Sequence, residues 1–342
     1  MTAIPKLYLA AAEESGDVLG GALMAALRVL QPSIAFAGVG GRAMRAQGLT
    51  SAFDTTELSI IGLASVPRKL PLIFRRIRET AEEVIAARPD ALVIIDSPDF
   101  THRVARRVRK AEPAIPIINY APPTVWAWRP WRARAMRRYV DEVLAILPFE
   151  PAAFARLEGP HCTYVGHPLA EQIDLLRPNA DEAVRRLSDP PVLLVLLGSR
   201  ASEVRRLAAF FGETIAQVAA RTGALEVVLP TLPHVADLVR EATASWRIRP
   251  RILLDRAEKH AAFRSGRAAL AASGTVTLEL ALAGVPTVAA YRIPLWEGLV
   301  FRMMAHIDTV ILANLVLGHK AVPEFLQGEC TQIGRASCRE RV

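Results

Sequence analysis

The chain has 342 residues, 51% of them hydrophobic and 22% charged, with a net charge of +8; this length favours two domains over one core, and the composition excludes general disorder. The mild positive excess is compatible with nucleic acid, anionic lipid or phosphorylated substrates, and selects none of them. No run of about 18 apolar residues occurs, and the opening apolar run Leu7–Ala12 stops at Glu13 and Glu14, so neither a spanning helix nor a signal peptide is predicted.

In chain order, the first predicted strand, Leu7–Ala11, meets Ser15-Gly16-Asp17-Val18-Leu19-Gly20-Gly21, a turn that opens a helix. A second strand, Ile34–Gly38, meets Gly38-Val39-Gly40-Gly41. Glycines there let the backbone approach a ligand, and helix N-termini attract anions; tight packing explains the same glycines equally well. The fingerprint G-x-G-x-x-G is absent after the first strand, so no dinucleotide cofactor is predicted. From Ile60 to Arg78, Leu63, Val66, Leu70, Ile73, Phe74 and Ile77 recur at helical spacing beside Arg68, Lys69, Arg75, Arg76 and Arg78. Such a helix either lies on an anionic bilayer or presents core with a solvated back.

Strand Ala91–Ile95 ends in Asp96-Ser97-Pro98-Asp99-Phe100. One of the two carboxylates could take a proton from an attacking hydroxyl. Asp96 is the better base, because Asp99 is placed to cap a helix over Phe100–Arg109. Strand Ile115–Tyr120 leads into Pro122-Pro123-Thr124-Val125-Trp126-Ala127-Trp128-Arg129-Pro130. Trp126 and Trp128 could stack on a sugar or lie against an acyl chain, and Arg129, Arg132 and Arg134 could hold a phosphate; a packed corner with solvated arginines fits as well. Strands follow at Val143–Leu147 and Tyr164-Val165, the latter before Gly166-His167-Pro168. His167 either touches a donor phosphate or caps a hinge, since prolines cluster and strand signals pause over 166–190.

The second half repeats the alternation with strands at Val192–Leu197, Glu226–Leu229, Arg251–Leu254, Ala268–Ala272 and Val285–Ala290. Continuous apolar strands between helices predict parallel sheets covered on both faces. Gly198-Ser199-Arg200-Ala201-Ser202-Glu203 lies between a strand and a helix, where Arg200 can grip a pyrophosphate; otherwise Ser199 or Ser202 is an N-cap and Arg200 a surface ion. Ser273-Gly274-Thr275 repeats the design, and Glu279 stands one turn into its helix, able to accept ribose hydroxyls or to complement the dipole. Cys162, Cys330 and Cys338 show no metal spacing, which suits a reducing compartment. Residues 333–342 read as a non-native tail.

These blocks together resemble the lipid-A-disaccharide synthase family of GT-B-type glycosyltransferases. The resemblance rests on Glu13–Gly20, Gly38–Met44, Ile95–Phe100, Pro123–Pro130, Leu147-Pro148-Phe149-Glu150, Val165–Pro168, Gly198–Arg200, Ala272–Thr275 with Glu279, Tyr291-Arg292 and Asn314-Leu315. It implies two Rossmann-like α/β domains with parallel sheets facing across a cleft: residues 1–170 for the acceptor and lipid, and 171–332 for the UDP-sugar. The implied reaction moves 2,3-diacylglucosamine from UDP-diacylglucosamine to diacylglucosamine 1-phosphate, with inversion and with no metal or other cofactor. The resemblance places Asp96, Asp99 and Glu13 in catalysis. It assigns the nucleotide sugar to Ser199, Arg200, Glu203, Ser273, Gly274, Thr275, Glu279, Asn314 and His167. The acceptor and lipid fall to Ser15, Gly16, Asp17, Trp126, Trp128, Arg129 and Arg132. It further implies the cytoplasmic face of the bacterial inner membrane, no nucleic acid, and an assembly for which a homodimer is one option. Ala12, Leu197 and Thr101 depart from the family's usual Gly, Pro and Asn. Family members continue past the point matching Thr331, so a foreign tail would remove a brace and lower activity. A UDP-sugar epimerase and a non-catalytic UDP-sugar-binding protein at a membrane are the rival readings.

Overall fold

The computed structural model describes residues 4–58, 66–292 and 309–326. The chain divides into two units, Met1–Pro168 and Leu169–Val342, each built on a six-stranded parallel sheet. The first holds β1 (Lys6–Ala11), β2 (Ala35–Val39), β3 (Ala91–Ile95), β4 (Ile117–Tyr120), β5 (Glu142–Ala145) and β6 (His161–Tyr164). Their order is β2-β1-β3-β4-β5-β6. Between them run α1 (Glu14–Leu30), α2 (Arg42–Ala46), α3 (Val66–Ala87), α4 (Pro98–Ala111), α5 (Trp131–Met136) and α6 (Glu150–Arg156).

All five residues of β3, Ala-Leu-Val-Ile-Ile, are buried, as expected of a strand covered on both faces. Alternate side chains go to opposite faces. Tyr8, Ala10, Leu92 and Ile94 pack with Ile77 and Val84 of α3 and Val104 and Val108 of α4. Leu9, Ala11, Val93 and Ile95 pack with Met24 and Met44 of α1 and α2.

The second unit holds β7 (Val192–Leu196), β8 (Glu226–Pro230), β9 (Arg251–Leu253), β10 (Ala268–Ala272), β11 (Thr287–Tyr291) and β12 (Glu324–Leu326). Their order is β12-β11-β10-β7-β8-β9. Its helices are α7 (Ile173–Leu176), α8 (Ala180–Leu187), α9 (Ala201–Thr222), α10 (Ala236–Thr243), α11 (Arg256–Ser265), α12 (Val276–Leu282) and α13 (Leu312–Leu317). Leu193 and Val195 meet Val204, Phe211 and Ile215 of α9 on one face; Leu194 and Leu196 meet Phe263 and Leu280 on the other. Phe211 is fully buried, and burial of such a ring stabilises by roughly 2–3 kcal/mol.

In each sheet the chain starts near the middle, builds outward one way, then crosses back. The reversal lies between β1 and β3 in the first unit and between β7 and β10 in the second. Loops leaving the carboxyl ends of these neighbours diverge there and open a crevice.

Several local expectations change. β6 begins at His161, earlier than the apolar signal at Tyr164, because it is an edge strand with three of its four residues exposed. β12 has three half-buried residues, too few to carry a periodicity. The helix after β3 starts at Pro98, and Ser97, not Asp99, is its N-cap, with no side-chain capping bond. The N-cap of α9 is Arg200, not Ser199 or Ser202.

The basic amphipathic helix exists as α3, but among its described side chains the arginines are paired. Arg76 binds Glu57 and Glu79, Arg75 binds Glu79, and Arg78 faces Glu82 at 3.8 Å. Ile77 is buried and Ile73 packs against the core, whereas Leu70 and Phe74 are 41% and 43% exposed. Residues 59–65 with Leu63, the side chains of residues 66–69, and the 333–342 segment lie outside the described residues. Among the described residues no helix is long and apolar enough to cross a membrane.

Candidate active site

The switch point of the second unit holds a pocket of about 440 Å³ lined by the loops after β7, β8 and β10. After β7 the chain turns at Gly198, whose φ is +97° and whose added Cβ would stand 2.2 Å from Glu203 Oε2. Only glycine fits such a position without strain. The space it leaves admits the Glu203 carboxylate, 6% exposed, which accepts the backbone N–H of Ser199 at 3.0 Å and of Arg200 at 3.2 Å. Glu203 therefore shapes the loop from beneath instead of presenting its charge to a ligand. Arg200 touches Glu203 at 3.2 Å but remains 75% exposed in its side chain, free to reach an anion. The orphaned first amides of α9 add positive potential at the same end.

After β10, Ser273-Gly274-Thr275 leads into α12, and Thr277 Oγ1 donates to the Gly274 carbonyl at 2.8 Å. Glu279 lines the pocket and is held by Lys259 of α11, Nζ to Oε2 at 2.5 Å. Lys259 also stands 5.2 Å from the centre of the Phe263 ring. Two residues of this pocket region escape sequence reading. Lys259 sits in an ordinary charged helix, and only the fold brings it to Glu279. His234, in a proline-stiffened turn after β8, donates from Nε2 to the Ser199 carbonyl at 2.9 Å; the Leu232-Pro233-His234 turn was its one available signal.

Asn314 is already engaged within its own segment. It is 1% exposed, and its amide is consumed by Val322 N–H at 2.7 Å, Val322 O at 2.8 Å and Thr309 Oγ1 at 3.2 Å. It fastens the segment around α13, so a ligand contact would have to break that clasp.

At the switch point of the first unit, Ser15 in the first turn of α1 donates to Asp96 Oδ2 at 2.5 Å. Gly16 permits this approach, since a Cβ there would stand 3.0 Å from the Ile95 carbonyl and 3.3 Å from Asp96 Cβ. Asp96 and Ser97 both adopt left-handed backbone, φ 52° and 45°. Glu13 is the exposed N-cap of α1. Asp99 turns outward: Arg132 binds it at 2.8 Å while its side chain is 80% exposed. A pair so solvated contributes little energy. Asp96, held by Ser15, stands at the switch point itself.

Asp17 is 6% exposed and accepts the backbone N–H groups of Gly41, Ala43 and Met44 at 2.7–3.0 Å. It caps α2 from α1, which removes its reason to face an acceptor. Trp126 is buried, 8% exposed; its Nε1 donates to Glu150 at 3.2 Å, and its ring meets Phe149 edge-on. Burial raises the Glu150 pKa. Trp126 is thus a packed corner, Trp128 is half-buried with Arg129 over its ring at 5.2 Å, and Trp131, missed by the motif reading, is 59% exposed. His167 follows β6, its pKa lowered by burial.

A parallel α/β pair of units, one with an anion-seeking pocket at its switch point and one with a carboxylate at the equivalent place, defines a GT-B-type nucleotide-sugar enzyme. The solved structures agree on the fold: MurG from Acinetobacter baumannii is 13% identical with a TM-score of 0.57, covering 99% of this chain and 90% of that one. UDP-GlcNAc 2-epimerase from Methanocaldococcus jannaschii, in complex with UDP-GlcNAc and UDP, is 12% identical with a TM-score of 0.61, covering 98% and 92%. The chain belongs to the lipid-A-disaccharide synthetase family, whose model matches residues 7–339. The lipid-A-disaccharide synthase of Rhodopseudomonas palustris (strain HaA2) is 58% identical, over 96% of this chain and 84% of that protein. That of Rhodospirillum centenum is 47% identical, over 95% and 82%.

Proposed function

We propose that the chain transfers 2,3-diacylglucosamine from UDP-2,3-diacylglucosamine to 2,3-diacylglucosamine 1-phosphate, giving the β-1,6-linked disaccharide 1-phosphate and UDP. The observation that carries this reading is that both chemically specialised places, the Asp96 turn and the 440 Å³ pocket, occupy switch points within the family-matched stretch. The acceptor 6-hydroxyl gives its proton to Asp96 as its oxygen attacks the anomeric carbon. The bond from that carbon to the UDP oxygen breaks, and one in-line displacement inverts the configuration. Arg200 and the start of α9 take up the charge growing on the leaving diphosphate, and Glu279, steadied by Lys259, accepts the ribose hydroxyls. These cationic groups do the work for which other transferases recruit a metal, so the reaction is metal-independent. Both substrates carry acyl chains, and the proposed site of action is peripheral, on the cytoplasmic face of the inner membrane; the exposed Leu70 and Phe74 of α3 and Trp131 support contact with a membrane surface.

One assay tests the reading. Incubation with the donor, with and without the 1-phosphate acceptor, should yield disaccharide and UDP only when both are present, and EDTA should not slow it. Asp96→Asn should abolish transfer and leave UDP affinity unchanged. Donor epimerised without acceptor, or UDP-sugar and liposome binding without product, would overturn the reading in favour of an epimerase or a binding protein.

A further inference from the structure

Beneath the Asp96 turn lies a buried polar chain that the proposed reaction does not use. His102 of α4, Asn119 of β4 and Tyr139 are 5%, 0% and 5% exposed. Polar groups this deep cost stability unless their hydrogen bonds are made. Arg106 Nη2 reaches the Tyr139 hydroxyl at 3.2 Å, and its guanidinium lies 4.8 Å from the centre of that ring. A guanidinium only donates, so the Tyr139 oxygen accepts there, and the same hydroxyl meets His102 Nδ1, 3.0 Å away. His102 Nε2 and Asn119 Oδ1 are buried without a hydrogen-bond partner among the described residues, and the Asn119 side chain is a polar neighbour that acts on the imidazole.

Asn119 passes the constraint to the backbone. Its Nδ2 donates to the Ile94 carbonyl at 3.2 Å and the Tyr120 carbonyl at 3.3 Å. The Tyr120 carbonyl also receives the Asp96 N–H at 3.4 Å. From the other side Thr101, next to His102, donates to the Asp96 carbonyl at 2.7 Å. Two successive non-glycine residues in left-handed backbone are strained and persist only where their surroundings over-determine them.

We infer that His102 and Asn119, clamped by Tyr139, are positioning residues that hold the strained Asp96–Ser97 turn and thereby aim the Asp96 carboxylate. This rests on Asp96 being the base. Burial pushes the His102 pKa down to about 3, so the clamp stays neutral while the enzyme works. His102→Leu should lower kcat roughly 10- to 100-fold, as small misplacements of a catalytic group do. KM for the donor and UDP affinity should stay within twofold, and hydrogen exchange of the Asp96–Thr101 amides should quicken. His102→Gln, whose amide can still bond the Tyr139 hydroxyl, should restore most of the rate. Tyr139→Phe should show a milder form of both effects, and serves if His102→Leu does not fold. Unchanged kcat and exchange in His102→Leu, with Asp96→Asn dead, would overturn the clamp and leave the base standing. Normal turnover in Asp96→Asn would remove the base, and exchange at the turn would then decide the clamp alone.

Discussion

Glu279 owes its place to a lysine that no motif contains. Lys259 and Glu279 have side chains 28% and 18% exposed and meet at 2.5 Å, so removing the ammonium leaves a half-desolvated carboxylate without its partner. Hydrogen bonds to charged groups contribute about 1.5–3 kcal/mol; Lys259→Met should therefore weaken UDP binding roughly tenfold or more by titration calorimetry, and a dissociation constant within twofold of the parent would refute the role. The same residues show what a sequence can and cannot say. It picked out Asp17, Glu203 and Glu150 within motif blocks, yet all three carboxylates accept main-chain N–H groups. A chain names its carboxylates but not the amides that will claim them. The tryptophans behave alike: Trp126 is a corner and Trp131 an exposed plate, a difference decided by which way each loop residue turns.

Elements were more legible than partners. Strands buried on both faces, such as β3, β7 and β10, read directly as apolar runs because helices cover both sides. The edges were harder, since β6 and β12 lack that signature. The strand–turn–helix after β7 carries its own test. An alanine at Gly198 would hold φ near +97° and drive its methyl to 2.2 Å from Glu203 Oε2. The left-handed strain alone costs about 1–2 kcal/mol, and relief requires Glu203 to release the Ser199 and Arg200 amides. Gly198→Ala should thus lower the melting temperature and weaken UDP binding together; a full-affinity variant would show the loop to be irrelevant to the nucleotide.

At the scale of the molecule, buried histidines set the response to acid. Burial lowers the pKa of His102 to about 3 and draws down those of His167 and His260 from an ordinary 6.5. The unfolded chain then takes up protons first as pH falls, so stability is full above about 6.5 and drains away toward 3. Glu150, raised from 4.5 by burial, works the other way, losing stability as pH rises through its elevated value. Three histidines outweigh one carboxyl, so the urea midpoint should be lower at about pH 5 than at about pH 7. His102→Gln should narrow the gap; an equal or higher midpoint at the acid end would contradict the assignment.

The reversal of strand order in each sheet has a consequence for how the protein can change over time. Asp96, Arg200 and Glu279, to which the proposed reaction gives base and donor chemistry, follow strands flanking one of two seams, β1 with β3 or β7 with β10, and Lys259 and His234 buttress those loops. The strands are asked only to remain apolar, and the apolar clusters of the two units share no residue. Drift in the interior is thereby separated from selection at the loops. A substitution that disturbs the packing of one core therefore leaves the packing of the other as it was.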